Sequence, residues 1–216
     1  MYQALYRKWR PQSFEDMVGQ EPITTTLKNE IRQGRPAHAY LLVGSRGTGK
    51  TSCARLIAKA VNCLSPQDGN PCGTCEICRG IDSEDILDVV EIDAASNNGV
   101  DSIRDLREET NFLPNIAKYR VYIMDEAHML SQGAVNALLK VLEEPPEHVI
   151  FILATTEIQK MLPTIISRCQ RFDFRRIPSV AIAGRLAYVA GEEGFLLEPE
   201  AAQLIGRLAA GGMRDA

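Results

Sequence analysis

Gly44-Ser45-Arg46-Gly47-Thr48-Gly49-Lys50-Thr51 is the stretch on which the reading of this chain turns. It fits the form G-x-x-x-x-G-K-[ST]. The apolar run His38–Val43 precedes it, and Lys50–Asn62 follows with Cys53, Leu56, Ile57, Ala60 and Val61 at helical spacing. A strand that reverses through glycines into a helix gathers backbone N–H groups around one point, and the helix adds its positive N-terminal end. That cradle suits phosphates. Gly44, Ser45, Arg46, Gly47, Thr48, Gly49, Lys50, Thr51 and Ser52 are therefore the expected phosphate-binding residues of an ATP site. Lys50 is placed to reach the β- and γ-phosphates, and Thr51 to ligate Mg²⁺.

Outward from this loop, short β-branched runs alternate with helical stretches, the pattern of a parallel sheet with crossover helices. The expected strands are His38–Val43, Asp88–Asp93, Arg120–Met124, Val149–Thr155 and Arg171–Arg175. The middle ones are apolar almost throughout, as strands covered on both faces should be. Helices are expected over Gly99–Thr110 and Ser131–Glu144, the latter stopped by Pro145-Pro146. Val121-Tyr122-Ile123-Met124-Asp125-Glu126 reads as a strand ending in two acids. The C-terminal edge of a parallel strand is where such folds bind ligands. Asp125 is expected to hold Mg²⁺, and Glu126 to orient the attacking water. His38, His128 and His148 read as structural.

The segment 62–80 fits neither period and reads as an insertion. Its cysteines, Cys63, Cys72, Cys75 and Cys78, follow C-x₈-C-x₂-C-x₂-C, a spacing that lets four thiolates close on one structural Zn²⁺. Cys53 falls outside that spacing and reads as core. Beyond Ile177 the pattern is helical, with Ala181–Gly191 and Pro199–Leu208 as helices and Gly211–Ala216 as the start of another. The expected division is thus 1–177 for the nucleotide domain and 178–216 for part of a helical domain. Apolar runs are too short to cross a bilayer, and Met1–Lys8 lacks the apolar core of a secretion signal, so a non-secreted protein is expected. The net charge of −4 argues against wrapping DNA through an overall field.

Tyr6–Pro11, Phe14–Gln20, His38–Leu42, Asp125–Leu130, Asn136–Lys140, Leu142–Pro146, Ala154–Thr156 and Ser167–Cys169, taken with the glycine loop, give the chain a resemblance to a known family. The sequence resembles the AAA+ ATPases and, within them, the gamma/tau-type ATPase subunits of bacterial DNA polymerase III clamp loaders. The resemblance implies a P-loop AAA+ domain with a zinc-binding insertion, followed by a small helical lid. It makes Thr155 the sensor of the γ-phosphate, with Thr156 beside it as the other choice. Arg168 becomes an arginine finger for a neighbour's ATP site, and Arg214 a lid arginine on nucleotide bound to its own chain. Tyr6, Arg10, Pro11 and Val18 become the wall that holds the adenine.

Without the resemblance, Arg168 reads as a surface ion pair and Trp9 as core packing; with it, Trp9 still does. The implied activity is ATP hydrolysis in the bacterial cytoplasm, in association with the nucleoid. The implied partners are other subunits of a pentameric assembly, a sliding clamp and primer–template DNA, with no membrane. The competing readings are a subunit that does not hydrolyse ATP and only lends Arg168, and a related motor on Holliday junctions. Intact Lys50, Thr51, Asp125 and Glu126 argue against the first, and the cysteine insertion and Ser167–Cys169 against the second.

Overall fold

The computed structural model describes residues 4–216; Met1, Tyr2 and Gln3, at the head of the stretch read above for a secretion signal, lie outside the described residues. In chain order the elements are α1 (Leu5–Lys8), α2 (Glu21–Arg32), β1 (Ala39–Val43), α3 (Lys50–Asn62), α4 (Glu76–Ser83), β2 (Val89–Asp93), α5 (Val100–Glu109), β3 (Arg120–Asp125), α6 (Gln132–Glu143), β4 (Val149–Thr155), α7 (Pro163–Ile166), β5 (Gln170–Asp173), α8 (Ser179–Glu192) and α9 (Pro199–Leu208). No helix among the described residues is long and apolar enough to cross a membrane.

The five strands make one sheet in the order β2-β3-β4-β1-β5, every pairing parallel. Successive side chains on a strand point to opposite faces, so each central strand serves two cores. On one face Leu41, Tyr122, Met124, Phe151 and Leu153 pack beneath α5 and α6, through Ile103, Leu106 and Leu138. On the other, Tyr40, Leu42, Ile123, Ile150 and Ile152 meet Leu27 of α2 and Leu56 and Ile57 of α3. Tyr122 stacks on Phe151 with ring centres 5.5 Å apart. The edge strand β2 is only partly covered, which matches its mixed sequence Val89-Val90-Glu91-Ile92-Asp93.

The structure corrects several boundaries. The last strand ends at Asp173 rather than Arg175. The segment 62–80 is not wholly irregular, because α4 begins inside it; the Cys75 sulfur accepts from the Cys78 amide and caps that helix. Gly211–Ala216 starts no helix. It forms a turn laid against the glycine loop, where the Met213 amide donates to the Gly47 carbonyl at 2.8 Å. Trp9 is not core packing: it is half-buried, and its indole N–H donates to Glu193 at 2.7 Å at the foot of α8.

Two charged groups hold the connections. Lys59, buried in α3, donates to Gln12 at 2.8 Å and pairs with Asp82 of α4, which ties the cysteine insertion to the helix behind the glycine loop. Asp88, fully buried before β2, accepts from the amides of Asn115, Ile116 and Ala117 at 2.6, 2.8 and 2.9 Å. Burial alone would raise the Asp88 pKa, but those three donors and Arg120 outweigh it and hold the carboxyl below its ordinary value. A carboxyl depressed in this way adds stability above its unfolded pKa and loses it as pH falls through the folded pKa. Asp88→Asn should therefore lower unfolding free energy at neutral pH by about 2–4 kcal/mol. It should also flatten the acid limb of a stability profile below roughly pH 4, as read by urea denaturation across pH.

Candidate nucleotide site

The strand ends and the first turn of α3 form the floor of a cavity of about 1040 Å³. Its walls are the segment from Ala4 to Val18 on one side and α8 with the 213–216 turn on the other. Backbone geometry makes the floor possible. Gly49 has φ of 100° and Gly47 of 77°, conformations that L side chains rarely adopt. A Cβ on Gly49 would lie 2.8 Å from the Met17 methyl, and one on Gly47 would lie 3.0 Å from the Gly212 Cα. Gly49 caps α3 without any side-chain hydrogen bond. The first amides of the helix are thus left for an anion.

Lys50 is buried, and its ammonium donates to the carbonyls of Gly44 and Ser45 at 2.9 and 3.0 Å. Burial lowers its pKa, with Glu126 and Asp125 opposing. A desolvated ammonium bonded only to neutral carbonyls gains strongly from an arriving phosphate. The Thr51 hydroxyl donates to Asp125 at 2.7 Å, so the two expected Mg²⁺ ligands, from α3 and β3, already meet. One hydroxyl and one carboxylate oxygen with room for water and phosphate suit Mg²⁺, which keeps several waters and few protein ligands. Glu126 follows β3 in a left-handed conformation, φ 47°, with its carboxylate accepting from the Thr156 hydroxyl at 2.9 Å.

The cavity brings together Tyr6, Arg10, Pro11, Val18, Arg46, Gly47, Thr48, Gly49, Lys50, Thr51, Ser52, Asp125, Glu126 and Arg214. The guanidinium of Arg214 lies 4.9 Å over the Tyr6 ring and closes the gap between the two walls. Gly44 and Ser45 do not line it; they contribute carbonyls to Lys50. Two expected residues stand elsewhere. Thr155 is fully buried with its hydroxyl on His128, at 3.0 Å from Nδ1, so of the two threonines it is Thr156 that reaches the acids. Arg168 lies outside the cavity on the surface beyond α7, paired with Glu143 at 2.8 Å and donating to the Thr164 carbonyl at 2.9 Å.

Other lining residues carry no sequence signal. Arg55 of α3 bonds to Glu84, which ends α4, and to Glu91 of β2; Arg185 comes from α8. Glu84 caps the end of α4, the helix that begins in the inserted segment, so only the packing of α4 on α3 places it here.

The four cysteine sulfurs of Cys63, Cys72, Cys75 and Cys78 lie within 4.8 Å of one another. Tetrahedral zinc with Zn–S of about 2.3 Å needs sulfurs roughly 3.8 Å apart, and the cluster fits that size. Amides of Thr74 and Cys75 lower the Cys72 thiol to about 6, while burial raises Cys78. A cation among them would hold all four as thiolates. Cys53, by contrast, is core, its thiol raised by burial to about 12.

Comparison with known proteins sets this geometry in a family. Residues 19–178 match the family model described as DNA polymerase III, delta subunit. Residues 181–216 match that of the DNA polymerase III clamp loader subunit, ATPase lid domain. The chain is 60% identical over 215 residues to DNA polymerase III subunit tau of Bacillus subtilis, covering all of this chain and 38% of that protein. It is 49% identical to subunit tau of Escherichia coli, covering all of this chain and 33% of that one. The chain thus spans about a third of the length of these relatives. Among solved structures, Thermotoga maritima RuvB superposes with a TM-score of 0.67 at 18% identity, over 96% of this chain and 62% of that one. A DNA polymerase III gamma subunit-related protein of the same organism gives 0.51 at 23%, over 84% and 57%. Those likenesses show the AAA+ fold alone. Since the first family model covers most of the chain and tau subunits align along all of it, the chain belongs to the DNA polymerase III, delta subunit family of AAA+ proteins, alongside the gamma/tau subunits.

Proposed function

We propose that this chain is an ATP-binding and hydrolysing motor subunit of a DNA polymerase III clamp loader, which places a sliding clamp on primer–template DNA. The observation that carries this reading is one cavity in which Lys50 and Thr51 face Asp125 and Glu126 while Arg214 closes the lid side. The amides from Gly47 to Ser52 cradle the β- and γ-phosphates, and Lys50 exchanges its carbonyl partners for phosphate oxygens. Thr51 and Asp125 hold Mg²⁺, which neutralises phosphate charge when bound. Glu126 orients the attacking water, with Thr156 rather than Thr155 as the sensor beside it. Tyr6, Arg10, Pro11 and Val18 hold the base.

Arg168 serves a neighbouring subunit in a pentameric ring, which fits its place outside its own cavity. An arginine supplied in trans accelerates phosphoryl transfer by about 10³–10⁵. Hydrolysis is thereby conditional on assembly. Residues 1–177 act as the nucleotide domain and 178–216 as part of the lid, with Zn²⁺ in the insertion as a structural ion. The site of action is the bacterial cytoplasm, at the nucleoid.

Lys50→Ala should weaken ATP binding by roughly 100-fold or more in titration calorimetry, since it removes a charge-assisted phosphate contact; unchanged affinity would remove the phosphate-cradle reading. Arg168→Ala should bind ATP normally yet cut ATPase of the assembled complex by about 10³ or more; a normal rate there would sink the finger role. Metal analysis should find one zinc per chain, and Cys75→Ser should lose it with a fall in melting temperature. A folded wild type without metal would refute the zinc site.

A further inference from the structure

The carboxylate of Glu126 has a second neighbour besides Thr156. The imidazole of His128, with only 5% of its side chain exposed, holds Nδ1 at 3.4 Å from Glu126 Oε2. The same Nδ1 lies 3.0 Å from Thr155 Oγ1, and Nε2 lies 3.3 Å from Glu157 Oε1. Thr155 Oγ1 also accepts from the Glu157 amide at 3.1 Å. His128 therefore joins the turn after β3 to the end of β4, directly behind the acid pair.

One hydrogen bond and two neighbouring carboxylates fix the place of the ring. Lys160 donates to Glu157 at 2.8 Å and holds that carboxyl below the ordinary range, so Glu157 only accepts. The Thr155 hydroxyl receives the Glu157 amide and also shares a hydrogen bond with Nδ1. The imidazole thus occupies the interior side of the Glu126 carboxylate, and the Thr156 hydroxyl is the one side-chain donor to Glu126 among the described residues.

We propose that His128 is a positioning residue for Glu126: its imidazole, held by Thr155 and lying beside Glu157, fills the space behind the carboxylate and keeps it turned onto Thr156 and away from the protein interior. This rests on the reading of Glu126 as the residue that orients the attacking water. His128 touches neither the phosphates nor the metal ligands, so it should act on turnover and not on binding.

The test is steady-state ATPase of the complete clamp-loader complex with clamp and primed DNA, beside ATP affinity. His128→Ala should lower kcat roughly tenfold or more while KM and affinity stay within about twofold. His128→Asn, whose amide oxygen falls where Nδ1 stands, should recover most of the loss; His128→Gln, which reaches only the Nε2 position, should not. Thr155→Val should lose as much as His128→Ala, and the double variant should be no worse than either. If the alanine variant does not fold, Thr155→Val and the Asn–Gln pair decide. An unchanged kcat, equal recovery by Asn and Gln, or a parallel loss of affinity would overturn the proposal. Glu126→Gln is the control: if it hydrolyses ATP at the normal rate, the hydrolytic reading fails instead.

Discussion

The amides at the start of α3 have no side-chain cap, and the ammonium of Lys50 beside them is buried against two carbonyls. Both are states of incomplete satisfaction, and an anion relieves both at once. Much of the surrounding architecture exists to hold this turn open. Parallel pairing of β1 with β4 and β5 fixes where the strand stops. Packing of Cys53, Leu56 and Ile57 on the sheet fixes where the helix starts. Met17 and Gly212 crowd the two glycines so closely that the loop has little freedom to collapse.

The lid and the N-terminal segment are coupled through contacts that involve no phosphate. Lys8 and Trp9 both reach Glu193, and Arg214 lies over Tyr6. The turn bearing Met213 is bonded to Gly47 through backbone. A nucleotide entering the cavity would touch all three surfaces, so its binding energy can be spread over the relation between domain and lid. The proposed motor role calls for coupling of that kind between a nucleotide and the surfaces around it.

The cysteine insertion joins the same framework. Its helix α4 packs on α3 through Lys59–Asp82 and Arg55–Glu84, and Asn70 accepts from the Phe14 amide at 3.0 Å. Closing four cysteines on one ion would stiffen a segment that otherwise has only a small cluster of Ile77, Ile81 and Ile86 for a core. The insertion thus braces both the helix that presents the phosphate cradle and the segment expected to hold the base.

Local rules act within a few residues of one another, and where they suffice the sequence was readable. The glycine loop, the apolar strands, the acids at the end of β3, the cysteine spacing and the proline stop after α6 all belong to that class, as did the lid helices. Tertiary packing decided the rest. Thr155 and Thr156 are adjacent and chemically alike, and only the end of β4, where Thr155 is the last strand residue and Thr156 opens the bend that follows, puts one on His128 and the other on Glu126. Trp9 has the composition of a core residue, yet Glu193, far along the chain, claims its indole. Glu84, Glu91 and Arg185 reached the cavity through packing between elements distant in sequence, and no periodicity encodes that meeting.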